Sequence, residues 1–149
     1  MRLVLIEKRR GRDDDRYTWQ RFELSESFNE RWWNEPRLLD AGATYFEVRL
    51  DGVEVARVEL DDQADFAHDF GAPRLGAAAL EIQFIEVAPA HRGKGIGTEV
   101  VARVAASNPG RRLLALSEHA DEFWSSLGWQ RYGHPEGHQR RRPLYLQPA

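Results

Sequence analysis

Cysteine is absent from the chain. That excludes a disulfide scaffold, a thiolate zinc site and a cysteine nucleophile, and it fits a reducing compartment. Also missing is any run near the ~20 apolar residues that cross a bilayer. The chain starts Met-Arg-Leu-Val-Leu-Ile, but charge resumes at Glu7. This run falls short of the about 7–15 residues of a secretory signal core, so a cytoplasmic protein without membrane association is expected. No excess of positive charge is present. Against 24 acidic residues stand 21 Lys and Arg, for a formal net charge of −3, which gives no global electrostatic case for nucleic acid. Metal-ligand spacing is missing as well. His134 and His138 are four apart, but Pro135 and Gly137 lie between them and argue against a helix presenting both to a metal. What is there is ordinary: 149 residues, 42% hydrophobic and 30% charged, suit one soluble domain over residues 1–149 with a real core.

Hydrophobic periodicity divides the chain into alternating strands and helices. Arg2–Lys8 reads as a first strand, followed by a charge-dense loop over Glu7–Arg16. Ser25–Asn34 reads as a helix with Ser25 as N-cap and Phe28, Trp32 and Trp33 at helical spacing, closed by Pro36. Thr44–Leu50 and Val53–Leu60 are strand-like. Asp51-Gly52 between them is a strong two-residue hairpin signal. Asp61–Gly76 is polar and contains glycine, hence a loop whose length makes it functional or mobile. Leu80–Val87 is the clearest strand, with Leu80, Ile82 and Phe84 alternating against Glu81 and Gln83. The alternation slips at Ile85-Glu86-Val87, as a β-bulge would make it do. A helix over Ile96–Ser107, a short buried strand over Leu113–Leu116, a helix over Glu118–Leu127 ended by Gly128 and a last strand over Pro143–Leu146 complete the reading. Interleaved elements of this kind indicate a mixed α/β layer structure.

The segment that carries chemistry is Val87-Ala88-Pro89-Ala90-His91-Arg92-Gly93-Lys94-Gly95-Ile96-Gly97-Thr98. Its glycines fall between a strand and a helix. Glycine lets backbone N–H groups turn toward a ligand and lets the ligand come close. The following helix offers free N–H groups and the positive end of its dipole to an anion, and Arg92 and Lys94 add formal charge. A pyrophosphate site is the reading. A Walker loop is excluded because no lysine precedes a Ser or Thr after its glycine, and the glycine spacing is wrong for a dinucleotide fingerprint.

The string resembles the [QR]-x-x-G-x-[GA] motif of the GNAT N-acetyltransferases, met by Arg92, Gly95 and Gly97. Downstream, Ser117-Glu118-His119-Ala120-Asp121-Glu122-Phe123-Trp124-Ser125-Ser126-Leu127-Gly128-Trp129 resembles the second half of that core, with matches at Ala120, Phe123, Gly128 and the aromatic Trp129. Together the two segments cover about a third of the chain. The resemblance implies an acyl-CoA N-acyltransferase fold, a curved and mostly antiparallel sheet with a bulged strand, flanked by helices. It implies that the backbone of Ile85, Glu86 and Val87 binds the pantetheine arm as an added strand would. The N–H groups of Arg92, Gly93, Lys94, Gly95, Ile96 and Gly97 would hold the pyrophosphate, and Thr98 would add a hydroxyl. Acetyl-CoA would be the co-substrate, an amine the acceptor, and direct acetyl transfer the reaction, with a base to deprotonate the ammonium form.

Two positions depart from the family's pattern. Trp124 stands where a tyrosine usually serves as acid, and indole N–H donates a hydrogen bond without being a practical acid. Ser117 stands where an asparagine usually lies near the cofactor. Three functions therefore stay open: an acetyl-CoA-dependent N-acetyltransferase acting on a primary amine of a small molecule or protein, a non-catalytic acyl-CoA sensor of the same fold, and a phosphate-loop binder of some other nucleotide. Glu81 is the favoured base and Glu86 the second. Trp32 and Trp33 lie where family members place an acceptor-binding helix. The basic run Arg140-Arg141-Arg142 reads as a solvated face. Many family members are dimers, and a homodimer is one arrangement the resemblance allows.

Overall fold

The computed structural model describes residues 1–35, 42–137 and 141–149. Seven strands form one sheet in the order β1-β2-β3-β4-β5-β7-β6. In chain order the elements are β1 (Leu3–Lys8), α1 (Glu30–Trp33), β2 (Ala43–Leu50), β3 (Val53–Asp61), β4 (Ala79–Val87), α2 (Ile96–Ser107), β5 (Arg112–Leu116), α3 (Asp121–Ser126), β6 (Gln130–Tyr132) and β7 (Leu144–Leu146). The sheet is mixed but mostly antiparallel. β1 runs antiparallel to β2 from Leu3↔Leu50 to Lys8↔Tyr45, β7 runs antiparallel to both β5 and β6, and β4 pairs with β5 in parallel. That parallel ladder is short: Ala79↔Arg112, Leu80↔Leu113, Glu81↔Leu114. Among the described residues no helix is long and apolar enough to cross a membrane.

The chain divides into two compact units. The first holds Met1–Leu60 and Phe84–Ala102. Its β2–β3 turn is made by Asp51 and Gly52 with φ of 52° and 79°, both left-handed, as a two-residue hairpin turn with the twist of the strands requires. An aromatic core gathers Phe22, Phe28, Trp33, Tyr45 and Ala88, with Trp19, Trp32, Ala43 and Phe84 against it. Arg57, fully buried, gives this core a charge. Its guanidinium donates to both Glu54 carboxylate oxygens at 2.9 and 3.0 Å and to the Glu23 carbonyl at 2.9 Å, and lies 4.2 Å from the Phe28 ring centre. A charge taken out of water needs this kind of pairing to persist.

The expected helix over Ser25–Asn34 shrinks to a single turn, Glu30–Trp33, and its cap is Asn29 rather than Ser25. The Ser25 hydroxyl accepts from the Ser27 N–H at 3.1 Å, a local turn that competes with helix. Asn29, in extended backbone, accepts from the N–H groups of Arg31 and Trp32 at 3.0 and 3.3 Å, the arrangement that starts a helix. Pro36 lies outside the described residues.

The second unit holds Asp61–Gln83 and Arg103–Ala149. Here the long segment expected as an open loop is anchored. Two short 3-10 turns, Ala67–Phe70 and Gly76–Ala78, form within or beside it. Ala67 and Ala72 are buried with Ala79, Leu114, Leu144 and Leu146, and Phe66, Phe70 and Leu75 pack on that cluster. Small alanines interleaved with aromatics let an irregular backbone reach a core. The start of β4 is clamped by Arg111, whose guanidinium donates to the carbonyls of Ala78 and Ala79 at 3.3 and 2.6 Å and pairs with Asp62.

α3 begins at Asp121, three residues later than the sequence suggests. His119 has φ of 56°, which helix cannot accommodate. Gly128, φ 77°, follows the last turn in the left-handed position expected of it. β6 has no counterpart in the sequence reading.

Candidate functional site

β4 leads directly to the glycine segment. Ala88 is buried and its N–H donates to the Val55 carbonyl at 2.9 Å, so the end of β4 is held against β3. Pro89 opens a 3-10 turn through His91, and the Arg92 Nε donates to the Val87 carbonyl at 3.0 Å. Gly93 and Gly95 then take φ of 76° and 78°, where a side chain is strained. A Cβ built on either would have no atom within 4 Å. The conformation, rather than crowding inside the protein, calls for glycine there.

α2 follows at once. Ile96, Val100, Val101 and Val104 are its buried face, which fixes the helix on the body of the protein. Its first intrahelical bond runs from the Glu99 N–H to the Gly95 carbonyl at 3.1 Å. The N–H groups of Ile96, Gly97 and Thr98 precede that bond and have no carbonyl one turn back within the helix. Arg92, Gly93, Lys94, Gly95 and Thr98 are exposed. An exposed helix start with two cations and left-handed glycines before it is suited to an anion of phosphate type.

Glu86 and the tryptophans of α1 come together in this unit. The Glu86 Oε1 accepts from the Asn29 N–H and from the Trp33 indole Nε1, both at 2.8 Å. Its Oε2 lies 4.0 Å from the Arg92 guanidinium. Trp33 is fully buried. Trp32 is half-buried and lies on Phe84, ring centres 5.0 Å apart and 32° from parallel. Phe84 and Glu86, two residues apart, share one face of β4. Ile85 and Val87 are half-buried, as is Glu86 itself.

Glu81 belongs to the second unit, buried on β4 at the last position of the parallel ladder. Ser117 and Trp124 are in that unit too. The Ser117 hydroxyl donates to Asp121 Oδ1 at 2.5 Å and accepts from the Ala120 N–H at 3.2 Å, a turn that sets up α3. Trp124 is buried and its ring lies 4.9 Å from Trp129, tilted by 30°, and 4.9 Å from Phe123. The indole is thus packed among aromatics. No group of three or more metal-ligating side chains occurs among the described residues. His138 and Arg140 fall outside those residues.

Sequence reasoning passed over Asn29, which caps α1 through its side chain and meets Glu86 through its backbone. An Asn three residues before Trp32 is a capping signal, masked here by the earlier serines.

The acetyltransferase (GNAT) family model matches residues 9–129, and the chain belongs to that family. No curated protein matches the sequence. Solved structures with the same fold include an acetyltransferase from Thermus thermophilus, 20% identical, with 74% of this chain and 67% of that one covered and a TM-score of 0.57. E. coli YhhK bound to coenzyme A is 16% identical over 99% of this chain and 100% of its own, with a TM-score of 0.57. The Bacillus subtilis N-acetyltransferase YlbP in complex with coenzyme A is 15% identical over 70% of this chain and 67% of its own, with a TM-score of 0.56. At these identities the likeness is one of fold.

Proposed function

We propose that the chain transfers the acetyl group of acetyl-CoA to a primary amine of a small molecule or protein, as a single GNAT-like domain in the cytoplasm. The observation that carries this reading is the β4–glycine–α2 segment, with the helix-start N–H groups that precede the Glu99–Gly95 bond and the cations Arg92 and Lys94. The pyrophosphate sits on the N–H groups of residues 93–97, with Thr98 beside them; the Arg92 N–H, expected among them, donates to the Pro89 carbonyl at 3.4 Å. The pantetheine arm runs along the backbone of Ile85, Glu86 and Val87, beyond the last paired residue, Glu81, of the β4–β5 ladder. Two of the solved relatives hold coenzyme A, and the family match spans residues of both units, which supports one working domain. The amine nitrogen attacks the thioester carbonyl, the C–S bond breaks, and the acetyl group passes to nitrogen. Glu81 takes the ammonium proton, directly or through water. Coenzyme A thiolate, near an ordinary thiol pKa of ~8.5, leaves without a strong acid.

The test is calorimetric titration of the wild-type chain and Gly95→Glu with acetyl-CoA and with coenzyme A. Micromolar binding to the wild type and none to the variant is expected, because the new carboxylate enters the space meant for phosphate and strains a residue at φ 78°. No binding to the wild type rejects the reading.

A second reading is favoured by Trp124. Buried on Trp129, it supplies no acid at the place of the family's tyrosine. A sensor that binds acyl-CoA without chemistry has this feature. Tight binding with no turnover across a broad panel of amines selects the sensor; turnover of any of them selects the enzyme.

A further inference from the structure

We propose that Glu86 is a positioning residue that joins α1 to the strand assigned to the pantetheine arm. The inference rests on that assignment, since the Glu86 backbone is part of the strand segment. Its side chain points to another task. Oε1 accepts two N–H groups from α1 and its cap, at 2.8 Å each, which uses both acceptor positions of that oxygen. Oε2 faces Arg92, the first residue of the glycine segment. One residue therefore touches the cofactor strand through its backbone, α1 through one oxygen and the anion loop through the other.

α1 depends on this tie. It is four residues long, far below the ~12–15 at which an isolated helix becomes even marginal in water. Asn29 caps it, Trp33 is buried under it, and Trp32 stacks on Phe84, which stands beside Glu86 on the same face of β4. An apolar contact and a charged hydrogen-bonding contact, two residues apart on one strand, thus hold a single turn of helix. Charge-assisted hydrogen bonds are stronger and more directional than neutral ones. They set where Trp32 and Trp33 stand relative to residues 85–87, and the two ends of the tie respond together: ligand along β4 steadies Glu86, and Glu86 steadies α1.

The experiment uses coenzyme A as the probe and amide hydrogen exchange of residues 29–34 as the readout, on wild type, Glu86→Gln, Glu86→Ala and Trp33→Phe. Saturating coenzyme A is expected to slow exchange there in the wild type. Glu86→Gln keeps that response, because the amide oxygen still accepts from Asn29 and Trp33. Glu86→Ala exchanges about tenfold faster without ligand and loses the response. Trp33→Phe, which removes the indole donor and keeps an aromatic ring, falls between them and carries the test if Glu86→Ala does not fold. Wild-type exchange and response in Glu86→Ala, or in Trp33→Phe, overturn the proposal. So does a Glu86→Gln variant as impaired as Glu86→Ala. Coenzyme A that binds the wild type by calorimetry without slowing exchange at 29–34 overturns this inference alone. Failure of the wild type to bind it at all removes the parent reading and this inference with it.

Discussion

Glu81 and Glu86, both on β4, occupy different surroundings. Glu86 has one oxygen engaged by two donors, whereas Glu81 is buried at the last rung of the parallel ladder. In the reading proposed above, proton transfer belongs to Glu81 and positioning to Glu86. Replacing Glu81 by Gln keeps the size and removes the base. Once an acceptor amine is in hand, kcat is expected to fall about 100-fold or more, since general-base catalysis contributes on that order, while the calorimetric affinity for coenzyme A is unchanged. An unaltered rate between pH 6 and 9 removes Glu81 from the mechanism. Trp124 and Ser117, read in sequence as departures near a cofactor, have structural work as well: one packs on Trp129 and Phe123, the other holds the turn before α3. The partners of both lie within five positions along the chain, so the turn and the aromatic cluster are local features.

Among the elements, those governed by local chemistry were legible and those governed by distant contacts were not. The Asp51-Gly52 turn, α2 from Ile96 to Ser107 and the stop at Gly128 appear where glycine chemistry and period demand. Gly52→Ala tests the first of these. Nothing lies within 4 Å of its Cβ position, so the cost is purely conformational. A loss of about 1 kcal/mol is expected from forcing a side chain to the left-handed φ of this turn, read as a lowered urea midpoint with an unchanged slope. No change in midpoint means the turn has relaxed to another type. α1 behaved differently. Its aromatics recur at helical spacing from Phe28 onward, yet only one turn forms, because the preceding serine turn and the Asn29–Glu86 bond set its start. The segment after β3 likewise looked open by composition and is anchored by alanines that enter a core built partly from β5 and β7.

At the scale of the whole molecule, charge distribution and charge total point in opposite directions. The chain carries a net −3, which repels an anion as charged as coenzyme A, so the proposed site requires the attraction to come from the local field of Arg92, Lys94 and the start of α2. Local fields at an exposed site are screened by salt, with a Debye length of ~10 Å at 0.1 M and ~3 Å at 1 M. Affinity for coenzyme A is therefore expected to weaken several-fold between about 0.05 and 0.5 M sodium chloride in a titration series. An affinity indifferent to salt would place the main binding energy in the pantetheine arm instead of the phosphates.

The sequence by itself determined the family, the strand–glycine–helix segment and the order of most strands, because these rest on residues close together in the chain: a glycine pattern, a helix start, a hairpin turn, alternating apolar residues. Tertiary structure decided the length of α1, the anchoring of the long segment after β3, the added strand β6 and the partners of Glu86. Asn29 and Glu86 are 57 positions apart, and no local propensity encodes a hydrogen bond between them. Burial of Phe22, Phe28, Trp33 and Tyr45 in one core places the α1 turn against β4, where the half-buried carboxylate meets its donors.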